Sequence, residues 1–387
     1  MSYFSLQSRK YTRIIDLDQQ RRLGTLAQTE YKRLATLHSL NKIGYEWEKS
    51  SRHDICPSDR NEITSMEIDP KESKYLLTLS RNSTVAIFNV HSNATIYDTI
   101  MKIPIPPDEV RTLTPPNSIH WFWDCSMFSV GTRTSIQFWD ASIGNIIEVI
   151  QINSKVINHV TTTKNHSSHD YVAVSGKEGN VFIIDLRVGN VVMTSQAVEQ
   201  KPIRALHWHP SNELIYATGN ENGNIFLWDI RFQKEILLKF CSDQSFSQVP
   251  SHQQPVAGLR FYNNGVSIIS IDNKGTIKSW EVSSGQIRYG YYDKVIFCEL
   301  NQNTFYKEYQ FATTENLKED IAFMPSNHGL IIFDINSGLQ LPNSKDIHRN
   351  VICTSYDSQK ICVYGSLDDV VRSWAPLPPP IDELTIQ

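Results

Sequence analysis

The chain has 387 residues, of which 40% are hydrophobic and 20% are charged. This composition is typical of a globular protein and excludes a disordered chain. The 37 basic and 41 acidic residues give a formal net charge of −4. A molecule so close to neutral has no overall attraction to nucleic acid or to an anionic membrane.

The first residues carry Arg9, Lys10 and Arg13 without an apolar run behind them, so we expect no secretory signal. No stretch approaches the roughly 18 apolar residues of a membrane span. The six cysteines include no Cys-x-x-Cys pair, which argues against a zinc site or a disulfide framework. We therefore expect reduced thiols, no bound metal and no cofactor, in a cytosolic or nuclear protein.

Residues 1–45 lack any strand pattern and predict a helical arm. Thr25 followed by Gln28 has the form of a capping box and predicts a helix that begins near residue 26, and a further helix is expected over about 5–20. The apolar positions with helical spacing are Leu23, Leu26, Tyr31, Leu34, Leu37 and Leu40. Two interpretations stay open: the arm packs on its own domain, or it lays its apolar stripe in a groove of a partner.

From residue 46 onward one pattern recurs: apolar strands separated by short polar turns, with the last strand ending in an aromatic or aliphatic residue, often followed by Asp. These endings are spaced 41 to 53 residues apart and fall at Phe88, Trp139, Ile184, Trp228, Trp280, Phe333 and Trp374. Such a period is close to that of one propeller blade. The pattern predicts an all-β fold, a seven-bladed WD-repeat β-propeller over 46–376, preceded by the helical arm.

Three details of this ring can be predicted. A strand near 50–56 should complete the last blade, because only 13 residues follow Trp374, and residues 377–387 form a short tail. Two insertions, 92–118 and 241–255, are predicted to be long loops. The Gly-His pair common in WD repeats is absent at the blade junctions. The sixth copy is the weakest, but six blades would leave 94 residues between Trp280 and Trp374 unexplained.

The fullest repeat ending is Trp228-Asp229-Ile230-Arg231, and Ile184-Asp185-Leu186-Arg187 is a second version. An Arg at this position follows the strand into a turn, where its planar fork can hold a partner's carbonyl or carboxylate oxygens. The alternative is a solvated Arg that bonds within its own blade, which we favour for Arg187. His207 and His209 lie on one side of a strand, but no third ligand is visible, so we expect no metal.

Several segments together resemble the Cockayne syndrome A protein family, in order along about 1–376. They are the helical arm, the first blade ITSMEIDPKESKYLLTLSRNSTVAIFNV, the Tyr- and Pro-containing insertion, IFLWDIR in the fourth blade, the Ser/Gln loop after it, and GSLDDVVRSWAP in the last blade. The tail LPPPIDELTIQ departs from the family, which tends to end in a longer acidic stretch.

The resemblance implies a non-enzymatic substrate receptor of a cullin-4 RING E3 ubiquitin ligase, acting in transcription-coupled nucleotide excision repair of DNA damage in the nucleus. It implies docking on the ligase adaptor, the large subunit of the damaged-DNA-binding complex, through Trp228, Asp229 and Arg231, and through Leu26, Leu34 and Leu37 of the arm. Further implied partners are the Cockayne syndrome B translocase and RNA polymerase II. No direct sequence-specific binding of nucleic acid is expected.

The rival prediction is a WD-repeat scaffold of another nuclear assembly, in chromatin or RNA processing. An enzyme is not expected, because the chain contains no Gly-x-Ser-x-Gly elbow, no Gly-rich phosphate loop and no His-Glu-x-x-His motif.

Overall fold

The computed structural model describes most of the ring and part of the arm. The described residues are 14–27, 30–31, 34–35, 54–55, 61–90, 98–106, 116, 118–152, 157–162, 171–195, 198–232, 234–241, 249–292, 308–314, 320–326, 329–338, 340, 351–359, 362–367 and 370–374. They form one helix, α1 (Ile14–Arg22), a short 3₁₀ turn (Asn263–Gly265) and seven antiparallel sheets.

Blades 1 to 4 each contain four strands. Blade 1 consists of β2 (Ile63–Ile68), β3 (Tyr75–Ser80), β4 (Thr84–Asn89) and β5 (Asp98–Pro104). Blade 2 consists of β6 (Ser118–Trp121), β7 (Met127–Gly131), β8 (Ser135–Asp140) and β9 (Ile146–Gln151). Blade 3 consists of β10 (Ile157–Thr162), β11 (Tyr171–Gly176), β12 (Val181–Asp185) and β13 (Asn190–Thr194). Blade 4 consists of β14 (Ile203–Trp208), β15 (Ile215–Asn220), β16 (Ile225–Asp229) and β17 (Leu238–Lys239).

The remaining three blades complete the ring. Blade 5 consists of β18 (Val256–Tyr262), β19 (Ser267–Asp272), β20 (Ile277–Glu281) and β21 (Ile287–Tyr292). Blade 6 consists, in its described part, of β22 (Ala312–Thr313), β23 (Ile321–Ser326) and β24 (Gly329–Asp334). Blade 7 consists of β25 (Val351–Asp357), β26 (Cys362–Leu367) and β27 (Val370–Trp374), joined by β1 (Asp54–Ile55).

The predicted seven-bladed propeller is confirmed, and so is the way in which it closes. All seven repeat endings lie on the third strand of their blade and are buried. The strand expected near 50–56 is β1, which pairs with β27 through Asp54↔Arg372 and Ile55↔Val371. The last blade is therefore completed from the N-terminal side of the ring, which protects an edge that would otherwise be exposed.

The core lies between the blades. The described buried apolar residues fall into seven clusters, one at each contact between neighbouring blades. The cluster between blades 7 and 1, for example, joins Tyr364 and Val371 to Ile63 and Phe88. Because strand side chains alternate between the two faces of a sheet, each blade can contribute to two clusters.

Both predicted insertions contain ordered structure. The first, 92–118, includes β5, which is the outer strand of blade 1, so its prediction as a loop is wrong for residues 98–104. The apolar residues of DTIMKIP pair with β4, and the Pro-rich neighbourhood masked this strand in the sequence. The second, 241–255, contains Ser251 and His252, and both side chains are fully buried.

In the predicted arm, α1 ends at Arg22 and Gly24 follows with a φ of 72°. The Thr25 hydroxyl donates to the carbonyl oxygen of Gln20 (2.9 Å) and thus closes the preceding helix, while Gln28, the other residue of the predicted capping box, lies outside the described residues. The Arg21 guanidinium lies over the Tyr31 ring at 4.6 Å, which connects α1 to the next helical residues. Leu17 is 1% exposed, so part of the arm is buried within the chain itself.

Candidate interaction surface

Where an Asp follows the repeat ending, it organises the turn that leads from the third to the fourth strand. In blades 2, 3, 4 and 6 its Oδ1 accepts the backbone N–H of the residue two positions later, at 2.7 to 3.0 Å. This side-chain bond to the backbone replaces a bond that the turn itself cannot make. In these four blades the Asp thus fixes the turn, and what varies is the side chain that it holds two residues later.

In blade 4 the held side chain is Arg231. Its Nε donates to Asp229 Oδ1 (2.9 Å) and its Nη2 to Asp229 Oδ2 (2.6 Å). The Arg231 side chain is 60% exposed, whereas that of Asp229 is 4% exposed. The hydrogen bonds from Arg231 hold the pKa of the Asp229 carboxyl below its ordinary value, so this carboxylate is charged at neutral pH.

Blade 3 repeats this geometry. Arg187 donates from Nε to Asp185 Oδ1 (3.0 Å) and from Nη2 to Asp185 Oδ2 (2.7 Å), and its side chain is 52% exposed. A fork fixed on a buried carboxylate presents its positive end outward with little freedom left to lose, which favours contact with a partner's oxygen atoms. The two turns are therefore close equivalents, although the sequence favoured only Arg231 as a binding residue.

Next to the held residue, three neighbouring blades expose a large apolar side chain. Ile143 in blade 2, Val188 in blade 3 and Phe232 in blade 4 each lie three residues after the Asp, and all three are more than 60% exposed. Blades 5 and 6 have Ser284 and Ser337 there, and both hydroxyls bond within the turn. Aromatic and Arg side chains, such as Phe232 and Arg231, are enriched in protein interfaces. We call Ile143, Val188, Phe232, Arg187 and Arg231 the turn surface.

The predicted adaptor-binding residues occupy different environments. Trp228 is 2% exposed and donates from Nε1 to Thr218 Oγ1 (2.9 Å), so it positions the turn from inside the blade rather than reaching a partner. Asp229 is likewise buried, which leaves Arg231 as the exposed member of that set. In the arm, Leu26 and Leu34 are half-buried, and Leu37 lies outside the described residues.

Sequence reasoning missed a buried network in blade 5. His252 Nε2 lies 2.7 Å from Ser270 Oγ, which also accepts from Trp280 Nε1 (2.7 Å). His252 Nδ1 lies 3.4 Å from Asp272 Oδ2. The sequence concealed this network for two reasons. Ser251 replaces the Gly of a Gly-His pair, and Ser251 and His252 both lie in the segment 241–255, which its sequence predicts to be a loop. A search for His alone, 28 residues before the repeat Trp, could have found it.

Burial dominates the electrostatics of this network. Desolvation of the imidazole holds the pKa of His252 below its ordinary value, although Asp272 opposes the shift. The pKa of Asp272 is itself lowered, because its contact with His252 and its backbone hydrogen bonds outweigh the burial that raises it. At neutral pH the network thus contains a neutral imidazole next to a carboxylate.

Blade 4 also fixes its incoming segment to its own strands by side-chain hydrogen bonds, but with a carboxylate in place of the imidazole. Glu199 accepts from the side-chain amides of Asn220 (2.6 Å), Asn222 (3.0 Å) and Asn224 (2.7 Å). It belongs to the segment that enters blade 4, whereas Asn220 ends β15 and Asn222 and Asn224 lie in the turn between β15 and β16. The same turn of blade 4 also contacts the segment that enters blade 5, because the backbone N–H of His252 donates to the carbonyl oxygen of Gly223 (2.8 Å).

His207, in β14, and His209, just after it, show no metal-binding geometry. His209 Nδ1 accepts the backbone N–H groups of Ser211 (3.1 Å) and Asn212 (3.0 Å), and burial lowers the pKa of the ring. His207 Nδ1 lies 2.8 Å from the Trp208 carbonyl oxygen. Across the described ranges, no three His, Cys, Asp or Glu side chains come together as a metal site would require. The described cysteines Cys125, Cys241, Cys353 and Cys362 are free thiols.

No helix in the described part of the chain has the length and apolar character needed to cross a bilayer.

Comparison with known proteins agrees with the propeller geometry. The family described as "Nucleolar protein 10-like, N-terminal domain", a β-propeller family, matches residues 124–327, which is more than half of the chain. The chain belongs to this family. The matched residues run from blade 2 into blade 6 and include all of the turn surface.

The matches to curated relatives cover a smaller part of the chain than the match to the family does. Eukaryotic translation initiation factor 3 subunit I of Drosophila grimshawi is 24% identical over 156 residues, which are 38% of this chain and 44% of the relative. WD repeat-containing protein ATCSA-1 of Arabidopsis thaliana is 22% identical over 192 residues, 47% of this chain and 42% of the relative. APC/C activator protein CDC20 of Saccharomyces cerevisiae is 21% identical over 156 residues, 40% of this chain and 23% of the relative.

The chain thus spans less than half the length of each of these relatives. Together with the family, they indicate a WD-repeat propeller of the scaffold or regulator type. Propellers of this kind are generally non-enzymatic scaffolds, and nothing in the comparisons points to catalysis.

Proposed function

We propose that this chain is a non-enzymatic substrate-recognition subunit of a cullin-4 RING E3 ubiquitin ligase in the nucleus, where it serves transcription-coupled nucleotide excision repair. It docks on the ligase adaptor, the large subunit of the damaged-DNA-binding complex, and so joins cullin-4 and the RING protein. The Cockayne syndrome B translocase and RNA polymerase II are its partners on the side of the substrate.

The observation that carries this proposal is the turn of blade 4. The fork of Arg231 is fixed by the buried Asp229 carboxylate, so a partner that supplies oxygen atoms loses little conformational entropy on binding it. Exposed Phe232 follows directly, and the Arg231 guanidinium lies 5.8 Å from its ring centre. An aromatic side chain beside a guanidinium is a common energetic centre of protein interfaces.

The test is the affinity of the purified adaptor for the wild type, Arg231→Ala, Arg231→Glu and Arg187→Ala. Loss of a charge-assisted hydrogen bond at an interface weakens binding by roughly tenfold or more. We expect Arg231→Glu to weaken binding more than Arg231→Ala, and Arg187→Ala to have a smaller effect. Thermal melting of each variant separates lost binding from lost folding. Unchanged affinity of Arg231→Glu at an unchanged melting temperature contradicts the proposal.

A deletion tests the arm separately. Removing residues 1–42 leaves β1 in place, so the ring can still close on β27. If Leu26, Leu34 and Leu37 dock on the adaptor, the truncated chain keeps its cooperative melting but no longer retains the adaptor. Full retention by the truncated chain would assign the arm another role.

A second candidate is a scaffold of another nuclear assembly, in chromatin or RNA processing. Membership of a family named for a nucleolar protein favours it. Co-purification with the tagged chain distinguishes the two functions: a ligase subunit retains the adaptor and cullin-4, whereas a scaffold of a nucleolar assembly retains neither and carries other nucleolar proteins instead.

A further inference from the structure

The outer strand of blade 2 is unusually exposed. Strand β9 reads Ile-Ile-Glu-Val-Ile-Gln, and of its six residues Ile150 alone is buried. Ile146, Ile147 and Val149 are 41%, 57% and 42% exposed. A long edge strand of β-branched residues is a template for pairing with another strand, which proteins normally prevent.

Three of the other outer strands carry usual protective devices. Strand β5 contains Lys102 and Pro104, β17 has two residues, and β21 contains Arg288 and Gly290. Strand β13 has five residues, and every second one is partly buried. A bulge interrupts the pairing of β5, β9, β13 and β21 alike and so does not distinguish them. Strand β9 contains neither Lys, Arg, Pro nor Gly.

The register of β9 determines which of its backbone groups face outward. Ile152 donates its N–H to the carbonyl oxygen of Thr134, and the pairs Ile136↔Ile150 and Phe138↔Glu148 continue the same register. Hydrogen-bonded and non-bonded pairs alternate in an antiparallel sheet. The N–H and C=O groups of Val149 and Gln151 therefore point away from β8. Within the described residues, β9 has β8 as its one partner strand.

We infer that two copies of this chain associate through β9, in an antiparallel pair whose two-fold axis passes through Val149. In that register Val149 faces Val149, and the outward N–H and C=O groups of the two residues bond to each other. Ile147 then faces Gln151, and Glu148 faces Ile150. Blade 2 of one copy continues into blade 2 of the other, which satisfies both free edges at once.

The pattern of charged and β-branched side chains along β9 favours a second copy as the occupant. Glu148 is the one charged residue of β9, and the two-fold register sets it opposite an aliphatic residue rather than opposite its own copy. Like charges that face each other across strands destabilise a sheet, whereas β-branched pairs stabilise it. Exposed Ile143, at the turn just before β9, adds apolar surface to the contact.

The experiment measures the mass of the purified full-length chain in solution between about 1 and 100 μM by sedimentation velocity. We expect a concentration-dependent dimer. Val149→Lys places two ammonium groups at the axis, and Val149→Pro removes the outward N–H without touching the bonds to β8. Both should raise the dimer dissociation constant more than tenfold. Val149→Thr keeps the N–H and a β-branched side chain, so its dimer should persist.

The matched control is Val266→Lys, since Val266 is a valine with a comparable exposure of 54% at a turn of blade 5. It should leave the dimer unchanged. A chain that stays monomeric throughout the range overturns the inference, as does a dimer that survives Val149→Lys or that Val266→Lys disrupts equally. If Val149→Pro lowers the melting temperature, Val149→Lys, whose side chain is exposed, decides the question. These outcomes do not depend on the ligase adaptor.

Discussion

Blades 4 and 5 are neighbours with the same strand order, yet they fix their incoming segments with different chemistry. Blade 5 uses the buried imidazole of His252 between Ser270 and Asp272, whereas blade 4 uses the Glu199 carboxylate with three side-chain amides. The repeat therefore requires a polar connection at this place rather than a particular residue. The same two blades differ at their turns, where one exposes Arg231 and Phe232 and the other two serines.

The comparison teaches that the interior of a blade and its turn vary independently. Trp228 and Trp280 each donate from Nε1 to a hydroxyl on the second strand, at 2.9 and 2.7 Å, so both blades keep the same internal anchor. What differs lies at the two ends of the strands. Substitutions at the ends can therefore separate stability from binding.

The largest expected loss of stability is that caused by a substitution at Gly223, where blades 4 and 5 meet. Its φ is 81°, and an added Cβ would overlap the carbonyl oxygen of His252. Gly223→Ala should therefore lower the free energy of unfolding by about 3 kcal/mol or more, through backbone strain and a forced shift. Urea denaturation measures it. Gly24→Ala is the control, because Gly24 has a φ of 72° with nothing within 4 Å, and should cost less.

His252→Ala should cause the next largest loss of stability. It removes a buried ring and leaves Ser270 and Asp272 without that partner, which should lower the free energy of unfolding by about 2 kcal/mol. The exposed Asn222→Ala in blade 4 should cost less than half as much, since its amide can be replaced by water. Denaturation midpoints of the two variants test the order. Equal losses would mean that the imidazole network is no more important than a surface contact.

The pH dependence of stability should separate the blades further. The pKa of His252 is lowered by burial, so the unfolded chain binds more protons than the folded chain below the ordinary His pKa. Stability is then lost as the pH falls from about 7.5 to 5.5, and His252→Ala should flatten that part of the profile. His209 has a lowered pKa for the same reason and contributes in the same direction. A profile that is equally steep without His252 would contradict this account.

A smaller effect than that of His252→Ala is expected for Glu199→Gln in blade 4. The Gln keeps one acceptor oxygen but presents its own N–H₂ to the neighbouring Asn amides, which should cost about 1 kcal/mol. Because Gln is neutral across the range studied, the variant should retain the acid-side loss of stability that His252 causes. Chemical denaturation at pH 7.5 and 5.5 measures both properties at once, and a loss larger than that of His252→Ala would reverse the proposed order.

The sequence by itself determined the ring. Period-two alternation of apolar and polar residues identifies the strands, and seven copies of one ending fix the number of blades. The short chain after Trp374 predicted that a strand before the first blade closes the last one, as β1 does. These are local patterns, so they can be seen without any knowledge of which blades touch.

The tertiary structure alone decided what depends on distant residues. His252 lies 28 residues before Trp280, and its partners are defined by how the strands fold back, not by spacing. Likewise, Arg187 and Arg231 look different in sequence because one follows Ile184 and the other Trp228, yet each is held by its Asp in the same way. The exposure of Val149 could not be read from IIEVIQ, because a core strand has the same composition; only its position at the free edge of blade 2 leaves it in water.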